Sequence, residues 1–448
     1  MKRTPRNPEA QGQDWDAGEK PLWMYAGLIF FWLFLCLLAA CLYFGLLQAR
    51  AGLPLRLTEG SNDVATYQRV GEAILVGEVP YRDFFIEYPP GSLLAFVPPA
   101  LFTTNQGDYA AFFASEMAII LVVALVLTAY AARTFFGWWW LLSATVFTLG
   151  TVSLYPVAVA RYDAVVALAL AAVVASVASS SASGRRRKAA ASVVAWASLG
   201  FGTAVKLVPV LATLPLALLV GRTTEARTLK ETARGVTWGF AVFSFVVVIF
   251  FLPAFLLGGE GFVESFTYHA DRGLQLESLA ASALMKLGWL GEVSFQYGAY
   301  EVRGQGAGLL SSLSPAITGA LLILTGTMMY RKHRQGKLGP EQFPRFAAAL
   351  LLAFMLGSKV LSPQYVLWLL PLVPLSAGGV WGMMASALFL VICITTTQIF
   401  PYHYAELRHL WSPATDILLG RNLLLVALWA LMLFLPSEDE SAVEPTEG

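Results

Sequence analysis

Asp63–Gly91, DVATYQRVGEAILVGEVPYRDFFIEYPPG, is a polar, acidic and aromatic island in a chain that is otherwise mostly apolar. It carries Asp63, Glu72, Asp83 and Glu87 among Tyr67, Tyr81, Arg82 and Tyr88, and it ends on Pro89-Pro90-Gly91. A carboxylate-rich loop against a bilayer surface suits chemistry on a hydroxyl, because a carboxylate can take the proton that a reacting hydroxyl loses. The same loop also serves as a plain connection between two helices, so the surrounding chain has to decide.

Of 448 residues, 57% are hydrophobic and only 13% charged, and mean hydropathy is +0.63. That balance belongs to polytopic membrane proteins. A net charge of +1 gives nucleic acid nothing to bind. Cys36, Cys41 and Cys393 all lie in apolar runs, without pairing or metal-ligand spacing. Leu38-Ala39-Ala40-Cys41 has the look of a lipoprotein cleavage site. However, the preceding arm mixes acids with bases, and the run Pro21–Leu47 is too long for a signal-peptide core, so it reads as an uncleaved first helix.

Apolar runs of spanning or near-spanning length occur at about 22–48, 109–132, 136–155, 158–180, 189–205, 207–221, 236–257, 308–330, 346–358, 362–377, 379–399 and 417–435. The expected fold is an all-α polytopic membrane bundle of about 12 spans. Residues 92–103, short and broken by Pro98-Pro99, add a half-helix entering from one side. The basic clusters Arg185–Lys188, Arg222–Arg234 and Arg331–Arg334 belong in the cytoplasm. With an even number of crossings between them, outer loops fall at 49–108, 258–307 and 400–416. Residues 1–20 then form a cytoplasmic arm, 21–436 the membrane domain and 437–448 an acidic cytoplasmic tail. Neither an internal repeat nor a glycine-rich phosphate loop is present.

Charged side chains in apolar sequence mark the chemistry. Asp63 heads an amphipathic run as a helix cap, a general base, or both. Aromatic anchoring at the interface explains Tyr81, Phe84, Phe85 and Tyr88, but not the ionisable Arg82, Asp83 and Glu87 between them. In the second outer loop, Tyr268–Ser278 includes His269, Arg272 and Glu277, and His269 with Arg272 suits an anion. Lys206 and Lys359 sit in apolar stretches, where a cation costs ~2.5–3.5 kcal/mol at mid-membrane unless it faces a cavity or partner, or snorkels to a nearby interface. Arg161 and Asp163 read either as a self-paired ion pair or as part of the same site.

Four stretches in order resemble one family. They are Asp63 with Tyr67 and Gly77–Asp83 followed by Glu87–Pro90; Lys206–Pro209; Tyr268–Ser278; and Lys359–Tyr365 with Trp368 and Pro371. Together they are similar to the polyprenol-phosphate-mannose-dependent α-1,2-mannosyltransferases of glycosyltransferase family 87, in the C superfamily of membrane glycosyltransferases. The resemblance implies a GT-C-like bundle that inverts configuration as it moves a hexose, mannose first among them, from a polyprenyl-phosphate sugar to a glycan or glycolipid acceptor. It implies a site on the extracytoplasmic face of the plasma membrane. It further implies Asp63 as base. Parity places Lys206, His269, Arg272 and Lys359 on the face that bears Asp63, so at least two of them are expected on the donor phosphate. Substrate contacts are expected from Tyr67, Tyr81, Arg82, Asp83, Glu87, Tyr88, Arg161, Asp163, Tyr268, Glu277, Gln364 and Tyr365. No cofactor is expected, and no divalent metal, since Asp63 lies between Asn62 and Val64 instead of beside a second acid. An arabinosyl or other lipid-linked sugar transferase shares this signature, whereas a secondary transporter calls for the paired half-helices of an inverted repeat.

Overall fold

A computed structural model describes residues 63–180, 184–220 and 229–435. The expected first helix at 22–48, the N-terminal arm, residues 222–228 of the second basic cluster and the acidic tail lie outside the described residues.

The chain opens with α1 (Asp63–Leu75), whose Val64, Tyr67, Val70 and Gly71 form a buried stripe at helical spacing. That stripe packs on α2 (Leu93–Ala100). α2 is the expected half-helix, and its eight residues rise only about 12 Å against a hydrocarbon core of about 30 Å. α3 (Gln106–Phe136) is capped by Asn105, whose side chain accepts from the amides of Gly107 at 2.9 Å and Asp108 at 3.1 Å. A 3-10 turn at Gly137–Trp139 separates it from α4 (Trp140–Ser153), so the expected breaks between 132 and 136 and near 155 fall within a few residues.

α5 (Asp163–Ser180) is buried along nearly its whole length by α3 and by α6 (Arg185–Val205). Its Ala, Val and Ser side chains allow that close approach on every side. A 3-10 segment, Val208–Ala212, and the short α7 (Thr213–Val220) follow. α8 (Leu229–Asp271) breaks at Gly259, where φ is +53°. Before the break it displays Phe245, Val248, Ile249, Leu252 and Leu256 outward, as a lipid-facing helix does. α9 (Leu279–Lys286), α10 (Ala307–Arg334), α11 (Phe343–Gly357), α12 (Gly379–Thr397), α13 (Tyr404–Arg408) and α14 (Ala414–Phe434) complete the bundle. α11 is buried on all faces, and its Arg345 donates to the carbonyls of Met432 at 2.6 Å and Leu433 at 3.0 Å. A guanidinium there satisfies carbonyls that the end of α14 leaves open.

Among the described residues, seven helical stretches are long and apolar enough to cross a membrane, with Gln106–Ser153 counted as one. Seven among the described residues does not confirm the expected count of about 12, and two further features depart from the expectation. The run 362–377 is not a span: its prolines divide it into 3-10 turns at Pro363–Leu369 and Val373–Leu375, irregular backbone that is sheltered inside the protein. The chain is also not wholly helical, because β1 (Leu290–Gln296) and β2 (Ala299–Gly304) form an antiparallel hairpin. Its two turn residues, Tyr297 and Gly298, both have positive φ, as a type I′ turn requires.

Candidate active site

Loops from one end of the bundle enclose a cavity of about 500 Å³. Asp63, Glu87, Tyr88, Arg161, Lys206, His269, Arg272, Glu277, Lys359, Gln364 and Tyr365 all line it. Residues spread over some 300 positions of sequence therefore meet in one place.

Asp63 begins α1, and one turn later Tyr67 anchors the same helix face. Tyr67 stacks on Phe96 at 4.3 Å between ring centroids and meets Tyr88 and Tyr162 edge-on at 5.6 and 5.7 Å. Above this aromatic floor, Asp63 Oδ2 accepts from Arg161 Nη1 at 2.7 Å. Arg161 is buried and its Nε has no partner among the described residues.

The loop after α1 holds itself in shape. Asp83 accepts from the Val79 amide at 2.7 Å and from the Arg82 side chain at 2.9 Å. Those bonds hold its carboxyl down at about 2. Tyr81 takes a left-handed φ of +70° and donates its hydroxyl to the Tyr88 carbonyl at 2.7 Å. A Cβ on Gly261 would stand 1.9 Å from the Tyr81 carbonyl oxygen, so only glycine lets this loop seat on α8. The Pro89–Gly91 turn is equally tight against the end of α6: a Cβ on Gly91 would come within 2.6 Å of the Ala204 backbone. This approach sets Glu87 and Tyr88 beside Lys206, the residue where α6 ends.

Lys206 donates to Asp163 Oδ1 at 2.7 Å and lies 5.0–5.2 Å from the ring centres of Tyr162, Tyr365 and Trp368. Trp368 Nε1 donates to the same carboxylate oxygen at 2.7 Å. His269 donates from Nε2 to the Glu87 carbonyl at 2.9 Å. Lys359 caps the end of α8 by donating to the carbonyls of Ala270 and Arg272, and partial burial pulls its ammonium below the usual lysine range. The Arg272 guanidinium, in contrast, makes no hydrogen bond or ion pair among the described residues. Burial pushes the Glu87 carboxyl up. Glu277, also raised by burial, accepts from the Tyr404 hydroxyl at 2.7 Å.

Several residues expected to touch substrate stand behind the cavity. Tyr67 is floor packing, Tyr81 shapes its loop, Arg82 and Asp83 pair with each other at the surface, and Asp163 is the buried counter-ion of Lys206. Tyr268 lies just outside, packed on Tyr297. Conversely, the cavity includes Gln275, Phe295, Tyr297, Tyr300, Phe400 and Tyr404, which sequence reasoning did not single out for a role. The alternation of Val293, Phe295, Tyr300 and Val302 about Tyr297-Gly298 was the available signal for the hairpin. Among the described residues, no three His, Cys, Asp or Glu side chains come together as metal ligands.

The helical bundle is similar in fold to ArnT. The apo structure of ArnT from Cupriavidus metallidurans aligns over 92% of this chain and 77% of that one, at 14% identity and a TM-score of 0.50. The structure of the same protein bound to undecaprenyl phosphate aligns over 90% and 76%, at 14% identity and a TM-score of 0.47. The family model for glycosyltransferase family 87 matches residues 85–363, more than half of the chain, and the protein belongs to that family. The match starts downstream of Asp63. No curated protein sequence is significantly similar to the chain.

Proposed function

We propose that this membrane glycosyltransferase moves a hexose, with mannose the first choice, from a polyprenyl-phosphate sugar to a hydroxyl of a glycan or glycolipid, with inversion, on the extracytoplasmic side. The observation that carries this reading is the sharing of one cavity by Asp63 and the unpaired Arg272. A carboxylate to accept a proton and a guanidinium to accept negative charge are the two groups that such a transfer needs.

In the proposed step the acceptor oxygen bonds to the anomeric carbon while the bond from that carbon to the phosphate oxygen breaks. Its electron pair stays on the phosphate, and the hydroxyl proton passes to Asp63. Attack opposite the leaving group inverts the anomeric centre. Arg161 orients Asp63 from the Oδ2 side. Lys206 and Arg272 take the phosphate. Lys359 and His269 already donate to backbone carbonyls, which suits them to shaping the phosphate site more than to binding within it. Leu207, Val208, Val210, Leu211, Phe266 and Phe354 give the cavity an apolar side, suited to the first isoprenoid units of the donor.

Asp63→Asn tests the reading. The variant is expected to fold and to bind polyprenyl phosphate while sugar transfer falls by ~10²–10⁴-fold. Near-normal transfer in a well-folded Asp63→Asn protein removes Asp63 as the base.

A further inference from the structure

The hairpin tip is a part of the cavity that no step above uses. Phe295 and Tyr297 both line the cavity, yet they remain 45% and 38% exposed. Tyr297 occupies the first turn position at φ +48°, where Asn or Gly is the usual choice and a bulky ring is an outlier. Backbone held in such a region gathers at sites where the side chain is needed in place.

From this tip a row of rings leads inward. Phe295 meets Tyr300 at 5.1 Å, Tyr300 meets Tyr404 at 5.7 Å, and Tyr404 meets Phe400 at 5.0 Å. The Arg161 guanidinium lies 5.9 Å over Phe400 and pairs with Asp63. An aromatic wall therefore runs from solvent to the carboxylate. Glu87 and Gln364 supply hydrogen-bonding groups to the same cavity. Insertion of the tip into lipid does not suit the hairpin, whose Glu292 and Arg303 are exposed.

We infer that the hairpin forms the acceptor subsite, with a pyranose ring of the acceptor stacked on Phe295 and Tyr297 and its attacking hydroxyl directed along the wall toward Asp63. A pyranose has an apolar face of C–H groups and a rim of hydroxyls, which matches rings flanked by carboxylate and amide groups. The identity of this ligand as acceptor rests on the transferase reading; the presence of a sugar subsite does not.

The test uses the full-length protein in lipid nanodiscs, with α-1,6-mannobiose as the sugar probe and undecaprenyl phosphate as the donor-lipid probe. Saturation-transfer NMR without donor is expected to show mannobiose bound to wild type and to Tyr297→Phe. In the double variant Phe295→Ala, Tyr297→Ala, affinity for mannobiose is expected to fall roughly tenfold, with undecaprenyl phosphate affinity and Tm unchanged. The inference is overturned if wild type binds no mannobiose, if the double variant binds it normally, or if the double variant loses the lipid instead. Should sugar binding follow the expected pattern while Asp63→Asn retains turnover, the base assignment fails and the subsite stands.

Discussion

Two carboxylate–cation pairs sit side by side at the head of the bundle, Asp63 with Arg161 and Asp163 with Lys206, each at 2.7 Å. Their exposures are reversed. In the first the arginine side chain is 5% exposed and the aspartate 23%; in the second the aspartate is 1% exposed and the lysine 16%. Each pair buries the partner that holds and presents the other to the cavity. A buried charge needs a counter-charge close by, and two such pairs satisfy that need while offering an anion and a cation to one space. Neutral ligands alone would not require this division; a reaction that gains a proton at one point and charge at another does.

The contrast is broken most directly by neutralising each aspartate. Beyond its loss of transfer, Asp63→Asn is expected to lower Tm modestly, because it takes the counter-charge from the buried Arg161 while Asp63 itself is 23% exposed. Asp163→Asn should destabilise the fold more, by about 3 kcal/mol, since it leaves Lys206 without a counter-charge and Trp368 Nε1 with a neutral acceptor in a site where the aspartate is 1% exposed. Thermal unfolding in detergent, read beside single-turnover transfer, separates the two; equal Tm losses would erase the distinction.

Next in size is Arg272→Ala. Loss of a charged phosphate partner should weaken polyprenyl-phosphate binding by about 1.5–3 kcal/mol, measured by lipid titration. Lys359→Ala, whose ammonium serves carbonyls of α8, should instead lower stability more than donor affinity. The opposite ranking would exchange their roles.

A smaller effect concerns pH. Burial raises the Glu87 carboxyl, so the folded chain holds that proton more tightly than the unfolded chain. Its contribution to stability is complete below the ordinary glutamate pKa of about 4.3 and is lost as pH rises through the raised value. Glu87→Gln should therefore flatten the decline of Tm above about pH 4.3; an unchanged slope would show that Glu87 does not titrate in this way. Smallest of all is Arg82→Ala. The Arg82–Asp83 pair is at the surface, away from the cavity, and transfer kinetics should not change measurably.

Much of the site was legible because charge is expensive in apolar sequence. Lys206, Lys359, Arg161 and Asp163 stand out in runs of Ala, Val and Leu, and Asp63, Glu87 and Arg272 fall in the motif stretches. What charge alone does not disclose is which member of a pair is buried. Lys206 and Asp163 are 43 positions apart, and only the packing of α5 against α6 joins them. Apolar runs were less informative: 362–377 has span-like composition, but proline chemistry makes it 3-10. The hairpin was hidden by its turn, because Tyr297-Gly298 lacks the usual Asn-Gly signature.

The apolar side of the cavity, at Val208, Val210 and Leu211, follows from the short segment between α6 and α7. Under the proposed function, the two substrates are then counted in different units. The donor arrives by diffusion within the lipid plane, and its supply scales with mole fraction in the bilayer. An acceptor arriving past the hairpin from water is supplied according to its bulk concentration. Diluting the membrane with inert lipid at constant total donor would therefore slow the enzyme as a competitive loss of one substrate, while leaving the apparent KM for a water-soluble acceptor sugar in place.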